Sequence, residues 1–295
     1  MLTRRHAMNN VIYRFSTLTA SLFTLLLLCQ CQSTSQGDRK TLTMFDGFVF
    51  AKEAVKWFEK VANQGDATAQ YNLGKCYKNG VGVNRNFKKA VKWFEKAANQ
   101  EYEDAQYELG VCYENGMGVD RNPKEAVKWY EKAANQGYYR AQYKLGMCYK
   151  YGSGVDRNIK ETVKWFEKAA NNEYDAAQYT LGIFYEFGIG VDENPKEAVK
   201  WYEKAANNED GSAQYKLGIF YENGMGVDEN PKEAVKWYEK AANQEHEDAQ
   251  YKLGLCYENG IGVDKNLDEA VKWYKKAANQ GNFDAKGKLE EIQNK

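Results

Sequence analysis

The chain has 295 residues, 28% of them charged, and its 41 basic and 41 acidic side chains cancel. At this length a single compact core is near its size limit. The first 31 residues carry three arginines and no acid, so the remainder is about three charges negative, which argues against the broad basic face of a phosphate-backbone binder.

In chain order, Arg4, Arg5 and Arg14 precede an apolar run from Phe15 to Leu28. A charged flank and a run of about 14 residues read as a secretory signal over residues 1–31, too short for a membrane span. Cys29 and Cys31 close the run. That ending resembles a bacterial lipoprotein signal, in which such a cysteine is lipidated and attaches the protein to a membrane. The preceding residues, Leu28 and Gln30, depart from the small residue such signals prefer. Two alternatives stay open: simple secretion with cleavage after Ser35, and an uncleaved anchor. Residues 32–50 follow as a polar tether (32–43) and an N-terminal cover in which Phe45, Phe48 and Phe50 shield the first packed element.

From there the chain repeats itself. The same lattice starts at Ala69, Ala105, Ala141, Ala177, Ala213 and Ala249, and a seventh start at Ala285 runs into the C-terminus. The period is 36 residues without insertion, the signature of a stacked array in which each unit packs on its neighbours. Residues 51–68 form a half repeat with a second helix only. Residues 69–284 form six full repeats, and 285–295 a polar capping half repeat.

One unit shows the logic. Ala105, Leu109, Cys112 and Tyr113 share one face of a helix, here called helix A. Asn115-Gly116 ends it, because glycine adopts the left-handed cap without steric cost. Gly118 and Val119 make a short loop. Asn122 caps the second helix, helix B, with Pro123 in its first turn and Glu125 three residues after the cap. Ala126, Trp129, Tyr130, Ala133 and Ala134 form its apolar stripe. Small residues at Gly110, Ala133 and Ala134 let helix axes approach closely.

The pattern Ala-x3-Leu-Gly-x2-Tyr, Gly-x-Gly-Val, Lys-x-Ala-x2-Trp-x2-Lys-Ala-Ala, seen as LGVCYENGMGVDRNPKEAVKWYEKAA at 109–134, resembles the Sel-1-like repeat. That family is related to tetratricopeptide repeats, whose units are shorter and lack the Gly-x-Gly-Val loop. The resemblance covers roughly residues 50–295. It implies an all-α, right-handed α-solenoid of stacked antiparallel helix pairs. It also implies a protein-binding adaptor with helix A lining the concave side.

Several residues look chemical. All seven tryptophans, Trp57 to Trp273, occupy one repeat position. An aromatic ladder of this kind could hold sugar or peptide, but the apolar stripe of helix B assigns it to the core. Cys76, Cys112, Cys148 and Cys256 share a position that Phe184 and Phe220 fill elsewhere, which predicts buried free thiols. Here the chain departs from the cysteine-rich members of the family, which bridge two cysteines within each repeat. His246 lies in an inter-repeat turn and reads as a solvated side chain. The Lys/Glu-rich face of helix B (Lys124, Glu125, Lys128, Glu131, Lys132) predicts i,i+4 pairs on a solvated convex surface. Some secreted relatives are described as β-lactamases, yet no Ser-x-x-Lys occurs in this chain. No catalytic residue, metal or cofactor is expected.

The six copies differ most at three positions on one face of helix A. In the third and fourth copies these are Lys144, Met147, Tyr151 and Thr180, Ile183, Phe187. Most copies carry Asn where these two carry Tyr151 and Phe187. Met147, Tyr151, Ile183 and Phe187, flanked by Lys144 and Lys216, form a candidate apolar patch for a peptide or helix. Against it stands packing of Met147 and Ile183 between neighbouring A helices. The expected function is a non-enzymatic exported adaptor of the bacterial envelope, with an unidentified protein partner and no nucleic acid. The alternatives are a β-lactamase-like or peptidoglycan-acting hydrolase and a secreted effector binding host proteins.

Overall fold

The computed structural model describes residues 44–294, with side chains from Ala51 onward, and every regular element among them is an α-helix. α1 (Met44–Asn63) is followed by six helix pairs and a closing helix, α14 (Phe283–Gln293). The A helices are α2 (Ala67–Asn79), α4 (Glu103–Asn115), α6 (Tyr139–Tyr151), α8 (Asp175–Phe187), α10 (Gly211–Asn223) and α12 (Glu247–Asn259). The B helices are α3 (Phe87–Ala98), α5 (Pro123–Asn135), α7 (Ile159–Asn171), α9 (Pro195–Asn207), α11 (Pro231–Asn243) and α13 (Leu267–Gln280). Each helix packs chiefly on the one before and the one after it, so the array is an all-α solenoid. α1 begins at Met44, well before the expected Ala51. The covering role of Phe45, Phe48 and Phe50, and all of residues 1–43, lie outside the described residues and side chains. No described helix is long and apolar enough to cross a membrane.

The caps explain the boundaries. Asn122 accepts a hydrogen bond from the Glu125 N–H at 3.1 Å, and Asn86, Asn158, Asn194, Asn230 and Asn266 do the same in their copies. A reciprocal bond from Glu125 is not needed. The Asn122 N–H already donates to the Tyr113 carbonyl at 2.8 Å, and Glu125 pairs instead with Lys128 at 2.8 Å. The expected i,i+4 pairs on helix B are thus i,i+3 pairs, repeated at Glu161–Lys164, Glu197–Lys200, Glu233–Lys236 and Glu269–Lys272. Lys132, the other expected partner, lies over the Trp129 ring at 3.8 Å.

Two glycines set the closeness of packing. A Cβ on Gly110 would stand 2.6 Å from the Tyr130 ring, so helix A rests directly on an aromatic of helix B. Gly118 has φ +79°, and a Cβ there would stand 2.4 Å from the Phe87 carbonyl of the preceding repeat. The Gly-x-Gly loop is therefore both a turn and an inter-repeat contact.

The core refines the reading of the tryptophans. Tyr130, and Phe94, Phe166, Tyr202, Tyr238 and Tyr274 at the same position, are the fully buried aromatics of helix B. Each tryptophan one residue earlier reaches across a seam. Trp165 joins a cluster of Ala126, Tyr130 and Ala134 from α5 with Leu145 and Cys148 from α6. Trp165, Trp201, Trp237 and Trp273 are buried and Trp93 and Trp129 half-buried, whereas Trp57, with no complete repeat before it, is 43% exposed. A buried glutamine runs beside this core. Gln106 donates to the Ala98 carbonyl at 3.3 Å and accepts from Gln136 at 2.7 Å, so one side chain ties three consecutive elements.

Candidate functional site

The A helices lie side by side and are joined by charge. Glu114 of α4 accepts from Lys144 of α6 at 2.9 Å and from the Tyr130 hydroxyl at 2.7 Å. The same triad recurs as Glu186 with Lys216 and Tyr202, Glu222 with Lys252 and Tyr238, and Glu258 with Lys288 and Tyr274. Burial beside the carboxylate pushes the Tyr130, Tyr202, Tyr238 and Tyr274 hydroxyls well above the usual phenol range. At the first seam the charges are exchanged: Lys78 pairs with Glu108 at 2.6 Å, and the buried aromatic is Phe94, which has no hydroxyl to donate.

The residues singled out from the sequence divide into two groups. Met147 and Ile183 are half-buried. Met147 packs on the cluster of Phe166, Leu181 and Trp201, and Ile183 touches that cluster and the next. They are seam residues. Lys144 and Lys216 are the ladder cations just described, and Lys216 also lies over the Phe187 ring at 5.5 Å. Tyr151 and Phe187 stand outside, 65% and 61% exposed. A cavity of about 380 Å³ opens between α4 and α6, lined by Glu114, Lys144, Met147, Cys148 and Tyr151 among others. Tyr151 and Phe187 thus remain in water at the ends of neighbouring A helices, with a pocket beside Tyr151.

Cys76, Cys112, Cys148 and Cys256 are buried free thiols, and burial pushes Cys148 up to about 12, far from a thiolate at neutral pH. His246 is not a solvated loop side chain. Its Nδ1 accepts from the Ala249 N–H at 3.4 Å and its ring stacks on Tyr215 at 4.7 Å, so it caps α12. Cys29 and Cys31 lie outside the described residues.

With the repeat geometry in place, comparison with known proteins is direct. The family described as Sel1 repeat matches residues 51–66, 67–102, 103–138, 140–174, 175–210, 211–246 and 247–282. The chain belongs to the Sel1 repeat family. The crystal structure of c5321, a protective antigen present in uropathogenic Escherichia coli strains displaying an SLR fold, shares 36% identity with it over 81% of this chain and 51% of that one, with a TM-score of 0.77. A Sel1 repeat protein from Oxalobacter formigenes shares 36% identity over 82% of this chain and 70% of that one, with a TM-score of 0.69. The chain spans about half the length of the first of these. Comparison with the curated proteins returns no significant match. Sel1 repeat proteins are generally scaffolds for protein–protein interaction, and their solenoid is typically non-catalytic.

The Sel1 frame begins two residues before the lattice read from alanines in five of the six copies, in step with the helix starts at Ala67, Glu103, Asp175, Gly211 and Glu247, and one residue before it in the third. The lysine–glutamate ladder was the feature missed in the sequence. Its signal was present: opposite charges recur 30 residues apart, and tyrosine accompanies glutamate where phenylalanine accompanies lysine.

Proposed function

We propose that this Sel1 repeat protein is a non-enzymatic exported scaffold that holds a segment of another protein against its A-helix face. The observation that carries the reading is the exposure of Tyr151 and Phe187 on neighbouring A helices, beside a pocket, where other copies present asparagine. Large aromatics left in water on a surface otherwise stitched by ion pairs are what an interface anchor requires. Export rests on the N-terminal sequence, with Cys29 or Cys31 as the lipid attachment and release after Ser35 as the alternative.

The test is affinity capture from native envelope extract with the full chain, beside a Tyr151→Ser, Phe187→Ser variant. Both side chains are exposed, so the variant keeps its helicity. A partner bound by the parent and lost by the variant supports the A-face reading. The same proteins captured by both would move binding elsewhere. Mass analysis of the mature N-terminus decides export: lipid on Cys29 or Cys31, or cleavage after Ser35, supports it, and an intact N-terminus in the cytosol overturns it.

A further inference from the structure

Six seams join successive A helices, and five of them are closed by a lysine–glutamate pair. The exception joins α6 to α8, where the ladder positions hold Lys150 and Thr180. Thr180 donates its hydroxyl to the Ala176 carbonyl of its own helix. Lys150 has no carboxylate partner. Its Nζ lies over the rings of Tyr151 and Phe184, at 5.3 and 5.6 Å. A second cation, Arg140, sits exposed in the first turn of α6, at a position that is Asp104, Asp248 or Asp284 in other copies, and its neighbours are the tyrosines Tyr107, Tyr138 and Tyr139 rather than a carboxylate. α6 therefore carries Arg140, Lys144 and Lys150 with no acid, and of the three only Lys144 forms an ion pair. The A helices on either side are net acidic.

Charge complementarity decides what covers this strip. Arg140 and Lys150 are ten residues apart, about 15 Å along the helix. An extended chain covers that distance in roughly four or five residues. Lys144 and Met147, which lie between Arg140 and Lys150 in α6, line the pocket together with Tyr151. A nucleic-acid strand crossing the seams would meet Glu108 and Glu114 on one side and Asp175 and Glu186 on the other, so phosphates are disfavoured. We propose that α6 docks an acidic peptide segment: two carboxylates four or five residues apart meet Arg140 and Lys150, and an apolar side chain between them enters the pocket beside Met147 and Tyr151. This rests on the A-face reading above and names the chemistry of its partner.

The experiment is selection of random twelve-residue peptides on the full chain, followed by fluorescence-polarisation titration of the most enriched peptide. The expected peptides carry two acidic residues flanking Leu, Met or Phe. Arg140→Glu with Lys150→Glu weakens binding at least tenfold, whereas Lys124→Glu with Lys160→Glu on exposed helix B positions changes it less than twofold. Neutral or basic enriched peptides, no enrichment at all, or indifference to the first charge reversal overturns the proposal. So does an equally tight random oligonucleotide. The Tyr151→Ser, Phe187→Ser variant separates the two readings. Binding lost there but insensitive to charge reversal leaves the A-face scaffold standing and removes the acidic partner. Indifference to both variants removes both.

Discussion

The pairing of Tyr130 with Glu114, and of Phe94 with Lys78, shows that one buried hydroxyl and one seam charge are chosen together. A phenol that donates to a half-buried carboxylate stabilises by about 1.5–3 kcal/mol. Tyr130→Phe is expected to cost about that much in urea unfolding. Glu114→Lys alone sets an ammonium against Lys144 and leaves the hydroxyl without its acceptor, so it is expected to cost more. The triple variant Tyr130→Phe, Glu114→Lys, Lys144→Thr recreates the combination of Phe166, Lys150 and Thr180 and is expected to be less destabilised than Glu114→Lys by itself. If the three costs simply add, the coupling is absent. The cysteine positions were legible from the sequence because phenylalanine replaces cysteine there. His246 was not, since its role depends on the Tyr215 ring of α10, which folding brings against it.

At the scale of the element, the helical hairpin was legible because caps, glycines and the apolar stripe are local signals. The division of labour between Trp and the aromatic after it was not. Adjacent residues on a helix share a stripe, and only packing decides that Tyr202 faces its own helix A while Trp201 reaches back across the seam. The loop glycines offer a clean measurement. Gly118 and Gly137 both have positive φ, +79° and +97°, but a Cβ on Gly118 meets the Phe87 carbonyl while one on Gly137 meets nothing. Gly137→Ala is expected to show only left-handed strain, about 1–2 kcal/mol. Gly118→Ala should lose several times the fall in Tm, because the preceding repeat must move away. Equal shifts by thermal circular dichroism would mean that the loop does not hold the seam.

Buried thiols and phenols recur along the whole array, and together they set its response to pH. Burial pushes Cys76 and Cys256 up to about 11 and Cys112 and Cys148 up to about 12, and it raises the four ladder tyrosines above their ordinary value of 10.0. These acids stay protonated when folded and ionise first when unfolded, so unfolding releases protons at alkaline pH. Their contribution is complete below about pH 9 and falls as pH rises, by about 1.4 kcal/mol per pH unit for each group that titrates. The expected Tm is level from pH 7 to 9 and drops steeply above pH 10. A flat profile to pH 11 would show that these side chains are not enclosed.

The sequence by itself determined the period, the helix pairs, the stacked array and the family, because each follows from signals within 36 residues that repeat without interruption. It also marked Tyr151 and Phe187 as departures from the lattice. Only the tertiary structure decided which variable side chains remain in water. Met147 and Ile183 look no less available in sequence, but the neighbouring helix takes them into the seam. Whether Lys144 or Lys150 is free depends on a residue 30 positions away, brought alongside only when the repeats stack.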